Sequence, residues 1–188
     1  MKELKEMIKN YTPTNEQEEN DQKLILKYID TFEDCLTRKN EMCHFTASCW
    51  IVNKERNKVL MIYHNIYKSW AWVGGHADGD ADLRNVAFKE AFEDTGLENL
   101  KLLQEEPLGI EILTVDPHIK RNKFVSSHLH LDVCFLFEAD EKEKIRIKED
   151  ENSDIGWINF TDIDEKVKEE KMKPIYKKLI TKVLKMKN

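Results

Sequence analysis

Residues 74–97 read Gly74-Gly75-His76-Ala77-Asp78-Gly79-Asp80-Ala81-Asp82-Leu83-Arg84-Asn85-Val86-Ala87-Phe88-Lys89-Glu90-Ala91-Phe92-Glu93-Asp94-Thr95-Gly96-Leu97. Two adjacent glycines give a backbone that turns sharply and admits other groups closely. From Ala81 the residues favour helix, and Gly96 stands where a helix-terminating glycine belongs, so the spacing predicts a helix over roughly residues 81–95. Glu90, Glu93 and Asp94 occupy positions i, i+3 and i+4, which puts three carboxylates on one helix face. Such carboxylates repel one another. On an open surface water screens them, and a solvated acidic face is the plain alternative for the triplet taken alone. In a cleft the natural compensation is a divalent cation that takes hard oxygen ligands, Mg²⁺ or Mn²⁺, and the close backbone approach at Gly74-Gly75 makes a main-chain carbonyl available to complete the shell.

Working outward, His44–Val52 reads as a strand, Asn53–Asn57 as a turn and Val59–Tyr63 as its hairpin partner. Ser69–Val73 is a short extended piece running into the glycines. Leu102–Val115 and Ser127–Phe137 are strand candidates, separated by a polar basic loop with Asp116, Pro117, His118, Ile119, Lys120 and Arg121. A charged turn, Glu138–Asp154, precedes a short strand over Ile155–Phe160. The first forty residues look helical. Thr14 fits an N-cap with Gln17 reaching back, and Ile25, Tyr28, Ile29, Phe32, Cys35 and Leu36 recur at helical spacing, with Glu18 and Glu19 on the polar side. From Pro174 an amphipathic helix carries Ile175, Leu179, Val183 and Met186 on one stripe. The expected organisation is a helical extension over 1–42, an α/β domain over 43–165 and a packing helix over 166–188.

Composition narrows the classes of function. The chain has 188 residues, 30 basic against 36 acidic, and a net charge of −6. A duplex nucleic acid partner needs a basic surface, and this chain has no such excess. No apolar run approaches a membrane span, and the first residues lack a secretory signal, so a cytoplasmic protein without a membrane role is expected. The Lys-rich last helix is better explained by packing than by an anionic membrane surface. Cys35, Cys43, Cys49 and Cys134 form no C-x-x-C pair and read as reduced, partly buried thiols.

The stretch from Gly75 to Leu97 resembles the Nudix box, whose pattern is G-x5-E-x7-R-E-U-x-E-E-x-G-U with U a bulky aliphatic residue. Gly75, Glu90, Glu93, Gly96 and Leu97 match it in register without a gap, and Asp94 stands for the last glutamate. Three departures accompany the match: Ala81 replaces the first glutamate, Lys89 the arginine, and Asp94 is one methylene short. The family's glutamate–arginine pair supports the loop-helix geometry, and the change of both members implies that the pair was lost together. Ala91 is also smaller than the usual aliphatic residue. Further pieces resemble Nudix proteins with GGHxDGD-type boxes: the strand His44–Ser48, Trp72-x-Gly74-Gly75-His76, the segment Asp116 to Asp132, and Ile155–Ile158.

The resemblance implies an α/β/α sandwich with a mixed sheet, flanked by the terminal helices. It also implies metal-dependent hydrolysis of a nucleoside diphosphate linked to another moiety, a small nucleotide-like substrate. Glu90, Glu93, Asp94 and the Gly75 carbonyl would hold Mg²⁺ or Mn²⁺, with Glu93 the foremost ligand. Glu93, His130 and Asp132 are the candidates for the base that activates water. His128, His130 and Asp132 alternate along one strand and share a face, where they would bind a second metal, contact phosphates or simply hydrogen-bond. His76, His118, Lys120, Arg121, His128 and Trp72 are the candidate substrate contacts. Among Trp50, Trp70, Trp72, Tyr63 and Tyr67, one or two would stack on a base and the rest fill the core. The loss of the first box glutamate motivates a second reading, a nucleotide sensor that does not hydrolyse. A third is an interaction domain working through the N-terminal helix, which is also the element that would form a homodimer. The diphosphate chosen as substrate is not legible in the sequence.

Overall fold

Period-two alternation along the strands sorts this molecule into two unlike faces. The computed structural model describes residues 1–120, 122–148 and 152–186. It begins with α1 (Lys2–Asn10) and α2 (Glu16–Thr31), followed by β1 (Cys43–Val52), β2 (Lys58–His64), β3 (Ser69–Ala71) and β4 (Val73–His76). Then come α3 (Leu83–Thr95), β5 (Lys101–Leu102), β6 (Gly109–Val115), β7 (His118–Lys120), β8 (Lys123–Val125) and β9 (His128–Glu138). β10 (Asn152–Asn159), a 3-10 turn, α4 (Ile163–Lys166) and α5 (Lys173–Lys185) complete the described chain.

The sheet runs β10-β2-β1-β9-β5, with β3 on β2, β4 on β1 and β6 on β9. β1 and β9 pair in parallel from Cys43↔Leu129 to Val52↔Glu138, and the other pairings are antiparallel. Parallel neighbours need a long crossover. The chain between them, including α3, provides it.

On one face Phe45, Ala47, Cys49 and Ile51 join Leu131, Val133, Phe135 and Phe137. They pack against Leu83, Val86, Ala87 and Ala91 of α3 and against Leu4, Ile8 and Ile25 of the first two helices. The other face is divided. Trp50, Cys134 and Leu136 are covered by Tyr176, Leu179 and Val183 of α5, whose burial contributes about 1.5–3 kcal/mol per large side chain. Further along the same face stand the polar side chains His44, Thr46, Ser48, His130 and Asp132, and there the sheet lines a cavity. The α/β/α arrangement matches the expectation. All four cysteines are buried free thiols. Among the described residues no helix is long and apolar enough to cross a membrane.

Several local expectations are corrected. The cap of α2 is Asn15, whose side chain accepts from the Glu18 N–H at 2.9 Å. Asn at least matches Thr as an N-cap, and Thr14 instead donates its N–H and Oγ1 to Glu18 Oε2 at 2.8 and 2.9 Å. Glu18 is therefore fully buried rather than on a polar face. Lys178 and Lys182 of α5 compensate it, their Nζ atoms 3.0 and 2.5 Å from Oε1, and Lys178 also meets the buried Glu111 of β6. The α2 helix stops at Thr31, so Cys35 and Leu36 are buried in the turn beyond it. The single strand expected over Leu102–Val115 is broken around Pro107, which has no N–H to donate to a ladder. The basic loop forms the β7–β8 ribbon, with Asn122 at φ +61° in its turn. The charged turn ends early, since β10 begins at Asn152.

Candidate active site

The cavity, about 720 Å³, takes its floor from three neighbouring strands. β1 supplies His44, Thr46 and Ser48; β9 supplies His130 and Asp132; β4 supplies Gly74, Gly75 and His76. Register explains the convergence. Thr46 lies opposite Asp132 on one side and His76 on the other, and His44 lies opposite His130.

Asp132 is buried, with Oδ1 accepting from Thr46 Oγ1 at 2.7 Å and Oδ2 from Ser48 Oγ at 2.6 Å. Burial pushes its carboxyl up to about 6, against the opposing pull of the two hydroxyls. His130 is held low, at about 2, first by burial and then by the imidazoles around it. Burial likewise lowers His44.

Two residues of α3, Glu90 and Asp94, also reach the cavity lining. Asp82 caps this helix through the Asn85 N–H, and Gly96 ends it at φ +72°. The missing side chain of Gly75 makes the key contact with the sheet. A Cβ there would stand 2.2 Å from Glu90 Cδ, so the Glu90 carboxylate occupies the space that any other residue would fill. One turn on, Asp94 is 3% exposed and pairs with Lys148 at 3.3 Å. Glu90, Asp94 and Lys148 all line the cavity. Glu93 lies on the more exposed side of the helix, 3.9 Å from the same Lys148, and is not part of the lining.

The remaining sequence candidates are distributed as follows. His76, His118, His128 and Trp72 line the cavity, the last with its backbone N–H donating to Tyr176 Oη at 3.3 Å. Lys120 belongs to β7. Arg121 lies outside the described residues. Trp50 is core and Tyr67 reaches the cavity.

Position 81 offers no charge, and Lys89 instead places its Nζ 3.4 Å from Asp80 Oδ2. Asp80 also accepts from the Asp82 N–H at 2.9 Å and from Asn85 Nδ2 at 3.3 Å, bonds that hold its carboxyl below the usual range. Asp80 thus ties the loop to the helix from the position before Ala81.

Thr46, Ser48, His44 and Lys148 escaped sequence reasoning as site residues. For the first three a signal existed: His-x-Thr-x-Ser alternates with period two, as His-x-His-x-Asp does, and so shares a face. Lys148 is brought to α3 by tertiary structure alone.

The NUDIX domain profile matches residues 42–182. The structure is similar to that of a Caenorhabditis elegans (C. elegans) Ap4A hydrolase in a binary complex, with a TM-score of 0.57 and 16% identity over 75% of this chain and 98% of that one. It is also similar to a NUDIX family hydrolase from Clostridium perfringens, with a TM-score of 0.52 and 20% identity over 76% of this chain and 97% of that one. A Nudix hydrolase from M. smegmatis gives 0.52 and 13% over 77% and 85%. No curated protein sequence matches the chain. With the profile spanning well over half of its length, the chain belongs to the Nudix family.

Proposed function

We propose that this protein hydrolyses the pyrophosphate bond of a nucleoside diphosphate linked to another moiety, with Mg²⁺ or Mn²⁺ held at the start of the cavity wall. The observation that carries the reading is the seat of Glu90 on Gly75, beside the buried Asp94. Glu90 and Asp94 line the cavity together with Gly75, and their carboxylates with the Gly75 carbonyl would be hard oxygen donors suited to such an ion. Glu93, three residues on from Glu90 and on the more exposed side of α3, would be the third carboxylate of the set. Held by these residues, such an ion would supply charge neutralisation for the diphosphate and a more acidic water.

The chain's own groups supply the rest. Lys148 pairs with both Glu93 and Asp94. Asp132 is our choice of base, because it lies on the cavity floor with each oxygen accepting one hydroxyl bond and keeping a second lone pair for water. His130 resists protonation and suits that role poorly. His128 and His118 stand in the cavity lining, beside the space a diphosphate would fill. Trp72 and Tyr67 offer aromatic surface for a base or sugar. Against a sensor that binds without cleaving stand Glu90, Glu93 and Asp94, acidic at all three helical positions of the box.

The test is product release from a panel that includes ADP-ribose, sugar nucleotides and dinucleoside polyphosphates, with Mg²⁺ or Mn²⁺. Turnover of one class should fall on the order of a hundredfold or more in Glu90→Gln, Glu93→Gln and Asp132→Asn. A silent panel in which one nucleotide still raises the melting temperature would replace the hydrolase with the sensor.

A further inference from the structure

We propose that His44, His76 and His130 form a second metal site, for a borderline ion such as Zn²⁺ or Co²⁺, apart from the carboxylates of α3. The three residues come from adjacent strands, β1, β4 and β9, and each ring offers one nitrogen such that the three atoms lie within 4.8 Å of one another. Ring centroids are 5.2 Å apart for His44 and His76, 5.1 Å for His44 and His130, and 5.0 Å for His76 and His130. Nitrogens bound to a tetrahedral ion at about 2.0–2.1 Å are about 3.3 Å apart, so small rotations of the rings close the set.

The second observation is a buried lone pair. His44 is 4% exposed, and its Nδ1–H donates to the Asn40 carbonyl at 2.9 Å. That bond fixes the tautomer, leaving Nε2 as the acceptor, and Nε2 is buried without a hydrogen-bond partner. An unsatisfied buried acceptor is costly, and a metal ion would satisfy it. A ring held by a backbone carbonyl through its other nitrogen is the usual support of a metal-binding histidine.

His128 provides the same support one step removed. Its Nδ1–H donates to the Ser126 carbonyl at 2.8 Å, so its Nε2 accepts from His130 Nε2–H at 3.2 Å. That leaves His130 Nδ1 as the ligating atom.

The two donor sets call for different ions. Three imidazoles suit Zn²⁺, Co²⁺ or Ni²⁺, while the oxygens of Glu90 and Asp94 suit Mg²⁺ or Mn²⁺. All three rings also line the cavity, so an ion among them keeps an open position toward it, as catalytic rather than structural sites do. There it would hold a phosphate oxygen or a water against the diphosphate.

The experiment uses the full chain, stripped with chelator and free of nucleotide, so that its outcome is independent of hydrolysis. Co²⁺ is titrated under saturating Mg²⁺, with visible absorption and calorimetry as readouts. One Co²⁺ per chain should bind, with the intense bands of a four- or five-coordinate ion, and Zn²⁺ should displace it. Affinity should fall at least about a hundredfold in His44→Gln and His76→Gln, and about tenfold in the positioning variant His128→Gln. Glu90→Gln should change it by less than about twofold, since its oxygens belong to the other set. His76 is only half-buried, so His76→Gln keeps the test decisive if His44→Gln does not fold. Displacement of Co²⁺ by Mg²⁺, weak octahedral absorption, or undiminished binding in folded His76→Gln would each overturn the site.

Discussion

Replacing Gly75 with Ala separates the use of Glu90 from the stability of the sheet. The added methyl would meet Glu90 Cδ at 2.2 Å and its two oxygens at 2.3 and 2.5 Å, where ordinary contact begins at 3.4 Å. The carboxylate must retreat by a little over 1 Å. It is the end of a flexible side chain, and Gly75 has no left-handed φ, so the backbone can stay where it is. A displacement of about 1 Å at a working group costs on the order of a hundredfold in rate. Gly74→Ala is the contrast, because its methyl would stand 2.7 Å from the Ala47 carbonyl oxygen and 2.8 Å from Ser48 Cα. Those are backbone atoms, so β4 must part from β1 at a cost of about 1–3 kcal/mol. Hydrolysis under saturating metal and nucleotide, measured beside thermal melts, reads both effects. Gly75→Ala should melt within about 3 °C of wild type yet turn over on the order of a hundredfold more slowly. Gly74→Ala should melt several degrees earlier. Full activity in Gly75→Ala would refute the reasoning, because Glu90 would then not act from the seat it occupies.

The buried ionic cluster makes stability depend on pH in two directions. Burial raises Glu111 from 4.5 to about 7, so its contribution is complete below about pH 4.5 and is lost as pH rises through 7, at most about 3 kcal/mol. Denaturant titrations should show that loss in wild type and a flatter profile in Glu111→Gln. For Glu18, burial opposes ionisation, but Lys182, Thr14, Tyr11 and Lys178 outweigh it and hold the carboxyl near 2. Its contribution is present above pH 4.5 and fades as pH falls toward 2, which acid titration of Glu18→Gln should abolish. Glu18→Ala leaves Lys178 and Lys182 short of their partner and should cost about 3–5 kcal/mol by urea unfolding. Asn15→Ala removes only a cap and should cost about 1 kcal/mol in the same assay.

Local signals in the sequence were strong where local chemistry decides. Gly96 ends α3, the carboxylates at 90, 93 and 94 share its face, and the alternating strand over 44–52 is the centre of the sheet. What stayed hidden depends on distant partners. Nothing near Glu18 announces that two lysines more than 150 residues away will bury it. Asp80 is one of several acidic residues in the loop before α3, and only the fold brings Lys89 to it. His44 was legible as a strand residue but not as a member of a histidine cluster, because its neighbours His130 and His76 arrive through two different strand pairings. Glu93 and Asp94 differ in exposure by the packing of one helix against β1 and β4, which periodicity does not resolve.

The parallel seam between β1 and β9 has a kinetic consequence. Thr46 and Asp132 are 86 residues apart in the chain, and Ser48 and Asp132 are 84 apart. Pairings that distant carry a loop-closure penalty before they return any contact energy, so they belong to the slow, late part of assembly. The cavity floor is built across this seam. A partly folded chain, however much helix it has acquired, therefore has no working site, and catalysis on refolding should recover with the slowest phase while helical signal returns earlier.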